Sequence, residues 1–370
     1  MKSSTARFLA LDMFRGIAIA SMILVNTPGD WGHVYSSLLH SSWHGLTPAD
    51  IVFPCFLFIV GASIFFAFRA SNFTLSPASF AKIVKRSALM FAIGFSLNIY
   101  NMLLLDTDSV RIMGVLQRIS LCYFLGALIA LSFQITTVYL ICGATLSAYY
   151  ALFVLLGGDS PFSLEHNIVA LIDRSILGDS QMWKMNGISF DPEGILSTLP
   201  ATVTLLLGFE TTRILTRCTN TRSALKHLVF LSLGLLLVGW GVSFYMPINK
   251  NIWSASFVLV SGGLAVLILA LCVCCSDILK LSTICEPLKI YGTNPLLIYC
   301  LSWMLATGLM ALKLSLLGAS STESAYSWLW QLLLPFMPPK LASLLFALAH
   351  VLLFWLLALW LYRRNFILKL

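Results

Sequence analysis

Apolar residues in this chain neither alternate nor form narrow stripes. They run on for about 20 residues at a time and are broken by short polar segments. A helix of that length spans roughly 30 Å, the thickness of a bilayer's hydrocarbon core. The runs predict transmembrane helices at about Phe8–Val25, Ile51–Phe68, Ala88–Leu105, from Met113 onward, and Thr137–Leu156. Further runs lie at about Leu199–Leu215, Leu228–Tyr245, Ser254–Cys275, Ile290–Leu312 and Leu341–Tyr362, so about ten spans are expected. Barrel strands would be shorter and alternating, whereas Leu228–Phe244 is apolar on every face. The expected fold class is an all-α, polytopic membrane helical bundle, with residues 1–370 as a single transmembrane domain.

The polar interruptions set the orientation. Lys2 and Arg7 precede the first run, and Arg69, Lys82, Lys85 and Arg86 follow the second as a basic loop. Arg213, Arg217, Arg222 and Lys226 make another, and Arg363, Arg364 and Lys369 follow the last run. By the positive-inside rule these segments and both termini face the cytoplasm. The opposite side then carries residues 26–50 and 247–253, together with the long acidic stretch 157–197, which is too polar to span and is expected to fold over a membrane face. Ser315–Pro339 is read as a polar loop with a short interfacial helix around Trp328 and Trp330.

Composition agrees with a membrane protein: 59% of the 370 residues are hydrophobic, 10% are charged, and mean hydropathy is +0.90. The net charge of +8 follows from the cytoplasmic basic loops and does not call for a nucleic-acid partner. Nine cysteines lie mostly in apolar runs without metal-ligand spacing, so no metal is expected. The N-terminal run is interrupted by Asp12 and Arg15 and lacks a clear cleavage site, so no cleavable signal peptide is expected.

In so apolar a chain, titratable groups beside spans mark a site. Residues 26–50 hold Asn26, Asp30, His33, His40, His44 and Asp50, with Trp31 and Trp43 among them. The tryptophans read first as interface anchors and second as platforms for a sugar ring. Asp12 and Arg15, three apart on one helical face, can pair and lower the penalty of burial; with Arg118 they read as a structural ion network.

Several segments in order resemble one family. They are Leu11-Asp12-Met13-Phe14-Arg15-Gly16, Val25-Asn26, His40-Ser41-Ser42-Trp43-His44-Gly45-Leu46-Thr47-Pro48-Ala49-Asp50 and Gly114-Val115-Leu116-Gln117-Arg118. Asp191-Pro192-Glu193-Gly194 and Pro247-Ile248-Asn249-Lys250-Asn251-Ile252-Trp253 complete the set. Together they are similar to the heparan-α-glucosaminide N-acetyltransferases and their compact bacterial relatives. The resemblance implies transfer of acetyl from cytoplasmic acetyl-CoA, a co-substrate, to an amino sugar or glycan across the membrane. The family's catalytic histidine falls on His40 and its nearby asparagine on Asn26. His44 stands where the lysosomal enzyme has an asparagine, which leaves the acceptor open. A bacterial inner membrane is the expected location, and a homodimer is left open.

Acetylating an amine needs a base for its proton and donors for the oxyanion. His40 is expected to act as that base or as an acetyl carrier. Asn26 is expected to donate an amide hydrogen bond, and Asp50 to fix an imidazole tautomer. His44, Trp43, Asp191, Glu193 and Lys250 are the expected substrate-binding residues. Arg69, Lys85, Arg86 and Arg118 are expected to hold CoA, although the positive-inside bias accounts equally well for the first three. The alternative function is a transporter of an amino sugar or its N-acetyl form; no internal repeat of the kind many transporters show is visible.

Overall fold

The computed structural model describes residues 9–314 and 323–368. Lys2, Arg7, Lys369 and part of the 315–339 loop lie outside them. The helices are α1 (Leu9–Asn26), α2 (Pro48–Phe68), α3 (Pro77–Leu105), α4 (Val115–Ser132), α5 (Ile135–Leu156), α6 (Ile168–Leu177) and α7 (Thr198–Arg217). They continue as α8 (Thr221–Ser243), α9 (Ala255–Val273), α10 (Ser282–Tyr291), α11 (Pro295–Ala311), α12 (Ala325–Gln331) and α13 (Pro339–Arg363). Two short antiparallel pairs, Lys184–Met185 with Ile188–Ser189 and Lys313–Leu314 with Glu323–Ser324, are the strands among the described residues. The protein is an all-α, multi-pass membrane bundle.

Eight helices among the described residues are long and apolar enough to cross a bilayer: α1 to α5, α8, α9 and α13. The two other expected spans differ in kind. Residues 290–312 do not form one straight span: α10 and α11 meet at a 70° bend. Asn294 precedes Pro295 there, and its side chain bonds Phe366 O and Leu368 N instead of continuing a helix. Expected span six is α7, a 20-residue helix carrying six threonines, Glu210 and Arg213. It is buried along most of its length, so its side chains meet helices and not lipid.

The basic loops also differ from expectation. Lys82, Lys85 and Arg86 lie on α3, which starts at Pro77 behind a Ser76 cap, and Arg222 and Lys226 lie on the first turns of α8 behind an Asn220 cap. Long basic side chains let a helix run past its apolar window into the interface.

The core is centred on α2, which packs against α1, α4, α7 and α9. Its contact with α7 is backbone to backbone: a Cβ on Gly208 would stand 1.9 Å from Phe58 O, and one on Gly61 would stand 1.8 Å from Leu205 O. Small residues let membrane helices approach this closely. Residues 157–197 form a lobe at the end of the bundle. α6 packs there with Phe153, Phe190 and Tyr149. Asn186 and Gly187, both at positive φ, turn the 184–189 hairpin.

Candidate active site

The site forms where α1 ends and α2 begins. Thr47-Pro48-Ala49-Asp50 starts α2, with proline at the first helical position and an acid in the first turn. The Asp50 side chain is wholly buried. Its Oδ2 accepts from Thr47 N (3.0 Å), Thr47 Oγ1 (3.0 Å) and Ser41 N (3.1 Å). That leaves Oδ1 for His40 Nδ1 at 2.8 Å. An ionised carboxylate accepts only, so Nδ1 carries the hydrogen and Nε2 the lone pair. The His40 side chain is 39% exposed, so its free nitrogen is reachable.

The third member comes from the turn between α8 and α9. Asn249 Oδ1 accepts from Asn251 N (2.8 Å) and Ile252 N (3.1 Å), and Ser254 Oγ accepts from Asn249 N (3.0 Å). A turn built by its own side chains presents Lys250, whose Nζ lies 3.1 Å from His40 Nδ1, 3.2 Å from Nε2 and 3.7 Å from Asp50 Oδ1. Burial pushes the Lys250 ammonium below its ordinary pKa, against Asp50 and Glu193, which favour the charged form. Gly45 N donates to Ile248 O (2.8 Å) and holds this turn to the histidine loop, with Gly45 at φ +115°.

A cavity of about 80 Å³ lies here, lined by Asn26, His40, Phe53, Val115, Glu193 and Lys250 among others. Expected site residues His40, Asn26, Glu193 and Lys250 thus share one space, with Asp50 behind His40. The rest sit elsewhere. Asp191 is wholly buried and held bidentately by Arg111, at 2.6 and 2.9 Å, which keeps its carboxyl below the usual range despite burial. Arg111 also reaches Glu193. Trp43 donates its indole hydrogen to Phe162 O (2.7 Å) and packs edge-on against Phe190, so it pins the lobe to the histidine loop. His44 meets the Asn249 amide at 3.3 Å, and burial lowers its pKa. His33 pairs with Asp30 (2.6 Å) and stacks on Trp330.

Arg111 is the residue that sequence reasoning left without a role. Its local setting, between Asp108 and the start of α4, carries no sign of a partner 80 residues on.

A second cavity, of about 410 Å³, opens toward the other end of the same helices. Arg15, Lys82 and Arg86 line it with mostly apolar neighbours from α1, α2, α3, α4 and α11. Arg15 is held by Asp12 (2.9 Å) and Ser63 Oγ (3.0 Å). Arg86 stacks on Tyr123, and its Nε is buried without a hydrogen-bond partner among the described residues. Of the residues expected to hold CoA, Arg86 alone lines this space. Lys85 points outward from α3. Arg69 lines a different cleft with Arg213 and Arg217. Arg118 is fully buried near the lobe, over the Trp253 ring and bonded to Gly194 O and Ser197 Oγ.

Fold and site together define a multi-pass membrane protein with a histidine–carboxylate–lysine cluster at one mouth of a helical seam. The model of the heparan-α-glucosaminide N-acetyltransferase catalytic region matches residues 7–241, and the chain belongs to that family. It is 31% identical to the heparan-α-glucosaminide N-acetyltransferase of Homo sapiens and 30% identical to that of Mus musculus. These matches cover 79% and 80% of this chain and 52% and 53% of the relatives, so the chain spans about half their length.

Proposed function

We propose that the protein transfers acetyl from acetyl-CoA to an amino sugar across the membrane, at His40. The observation that carries this reading is the His40–Asp50 pair at the head of a seam that also contains the second cavity. Both cavities are lined by nearby residues of the same three helices: Met22 and Arg15 on α1, about two turns apart, Phe53 and Phe56 on α2, about one turn apart, and the neighbours Val115 and Leu116 on α4. A helical turn advances about 5.4 Å, so the two spaces are neighbours along one track. A long, narrow donor fits that track, with its phosphates at Lys82 and Arg86 and its thioester at His40. The acceptor's amine enters from the His40 mouth, beside Glu193 and Asn26.

Asp50 fixes the tautomer, so Nε2 of His40 takes the amine proton in a direct transfer, or the acetyl group in a two-step one. A thioester is already activated, and the oxyanion that forms on it needs hydrogen-bond donors. By the positive-inside rule, the basic ends of α3, α7 and α8 support a cytoplasmic opening for the large cavity. The names of the relatives point to a glucosamine-type acceptor.

The test is transfer of radiolabelled acetyl from acetyl-CoA to glucosamine by protein in liposomes, with His40→Ala in parallel. Label should appear on the sugar and be lost in the variant, while CoA still binds. Labelled sugar that accumulates inside the vesicles without acetylation would replace the enzyme with a transporter.

A further inference from the structure

Among the described residues, Lys250 is the cation within hydrogen-bond reach of His40. Arg111 is closed on Asp191 and Glu193, and Arg118 is turned to Gly194 O and Ser197. The form of the Lys250 contact matters. Nζ is nearly equidistant from the two ring nitrogens, at 3.1 and 3.2 Å. An ammonium that bonded the Nε2 lone pair would lie in the ring plane, near one nitrogen and far from the other. Equal distances in that plane would drive it into the carbon between them. Lys250 therefore sits over the face of the imidazole, and the in-plane lone pair of Nε2 stays open to the cavity. Its side chain is 12% exposed, so water has little access to its charge.

We propose that Lys250 stabilises the oxyanion of the acetyl transfer from the face of His40 and is not a binding group for the acceptor. The inference rests on the reading of His40 given above. In the step, the acceptor nitrogen attacks the thioester carbonyl carbon and a C–N bond forms. The carbonyl π pair moves to oxygen, and the oxyanion accepts a hydrogen bond from the Lys250 ammonium, which keeps its proton. Collapse restores C=O and breaks C–S, and the electron pair leaves on sulfur. His40 Nε2 takes the proton of the amine and returns it to the thiolate. In a two-step route the first attack is by Nε2 itself, and the same oxygen forms within reach of the same ammonium.

The fixed charge explains the architecture of the 247–254 turn. Three side-chain bonds from Asn249 and Ser254 hold its backbone, and Trp253, buried at φ +51°, anchors its end on Thr204. An oxyanion donor must be in place before charge develops, and a rigid turn supplies that.

The experiment compares Lys250→Met, Lys250→Gln and Lys250→Cys with the wild type for steady-state transfer and CoA binding. Each should lose roughly 10²–10³ in kcat, the usual effect of removing one oxyanion donor, with the KM for the acceptor and the Kd for CoA within about twofold. Treating Lys250→Cys with 2-bromoethylamine rebuilds an ammonium of near-lysine length and should restore most of the rate; alkylated wild type is the control. A loss confined to KM, or an unchanged kcat, overturns the proposal, as does a dead variant of wild-type melting temperature that aminoethylation leaves dead. Absence of transfer by the wild type itself would instead defeat the assignment of His40.

Discussion

The two mouths of the seam between α1, α2 and α4 are built on opposite principles. At the His40 mouth the cavity is small, about 80 Å³, and Asp50 and Lys250, from two separate segments, converge on one imidazole. Asp50 is fully satisfied, and its partners are backbone amides and a hydroxyl with no freedom to move away. At the other mouth the space is about 410 Å³, the walls are mostly apolar, and the charges sit on long, stacked side chains. Fixed dipoles suit a step in which charge moves by an ångström; long basic side chains over an apolar hollow suit affinity for a large anion. Rate and donor affinity should therefore separate between the two ends.

Asp50→Asn is the sharpest way to break that division. Oδ2 of Asp50 accepts three hydrogen bonds from Ser41 N, Thr47 N and Thr47 Oγ1. Asparagine must place its carbonyl oxygen there, which turns its NH₂ toward His40 Nδ1. Nδ1 then has to accept, the proton moves to Nε2, and the lone pair that faces the cavity is gone. kcat should fall by roughly 10²–10⁴, the range for losing a positioned base, while CoA binding and thermal melting stay near wild type. An equal fall in CoA affinity would mean that the two mouths are not independent.

Substitutions at the other mouth should do the reverse. Lys82 Nζ lies 5.5 Å from the centre of the Phe68 ring, and Arg86 stacks on Tyr123 at 4.8 Å. Each charge-assisted bond to a phosphate contributes on the order of 1.5–3 kcal/mol. Lys82→Gln and Arg86→Gln should each weaken CoA binding by about tenfold and leave kcat at saturation within about twofold. A short acetyl thioester without phosphates should be used equally by variant and wild type. A variant that loses both donors alike would move the phosphate site elsewhere, with the Arg69–Arg213–Arg217 cleft as the next place to look.

The two mouths were not equally legible in the sequence. The helices and the histidine segment follow from local pattern: 20-residue apolar runs, an Asp12–Arg15 pair on one face, and a Thr-Pro-Ala-Asp helix start that puts Asp50 ten residues from His40. The large cavity does not, because its walls come from five helices and its cations from a stretch that reads as a loop but continues α3. Arg111 with Asp191 and Lys250 with His40 are separated by 80 and 210 residues, and no local period reports such pairings. Burial explains the rest. α7 tolerates threonines and a Glu210–Arg213 pair because it is enclosed by helices, and Trp43 is held by the lobe where a sugar ring was the minority expectation.

The smallest effect expected is from the lobe that carries one wall of the His40 mouth. Asp173 on α6 is buried; its Oδ1 accepts from Leu196 N (3.0 Å), and its Oδ2 has no hydrogen-bond partner among the described residues. Burial raises its pKa from 3.8 to about 6, against Arg118 and the Leu196 amide. A carboxyl whose pKa is raised in the fold favours the fold most when protonated, so that stabilisation is complete below about 3.8 and is lost as pH climbs through about 6. Asparagine keeps the Leu196 bond through its oxygen and never ionises. The melting temperature of the wild type should therefore fall between pH 4 and pH 6.5 relative to that of Asp173→Asn, by an amount equivalent to at most about 3 kcal/mol. kcat and CoA affinity near neutral pH should stay within about twofold, because the carboxyl positions the Gly194–Ser197 backbone and touches neither mouth. Parallel melting curves would show that Asp173 is ionised in the folded lobe, with Arg118 as its counter-ion. The buried arginine would then be the element that ties the lobe to the bundle, and Arg118→Gln should loosen the His40 mouth by releasing Gly194 O and Ser197 Oγ, next to Glu193.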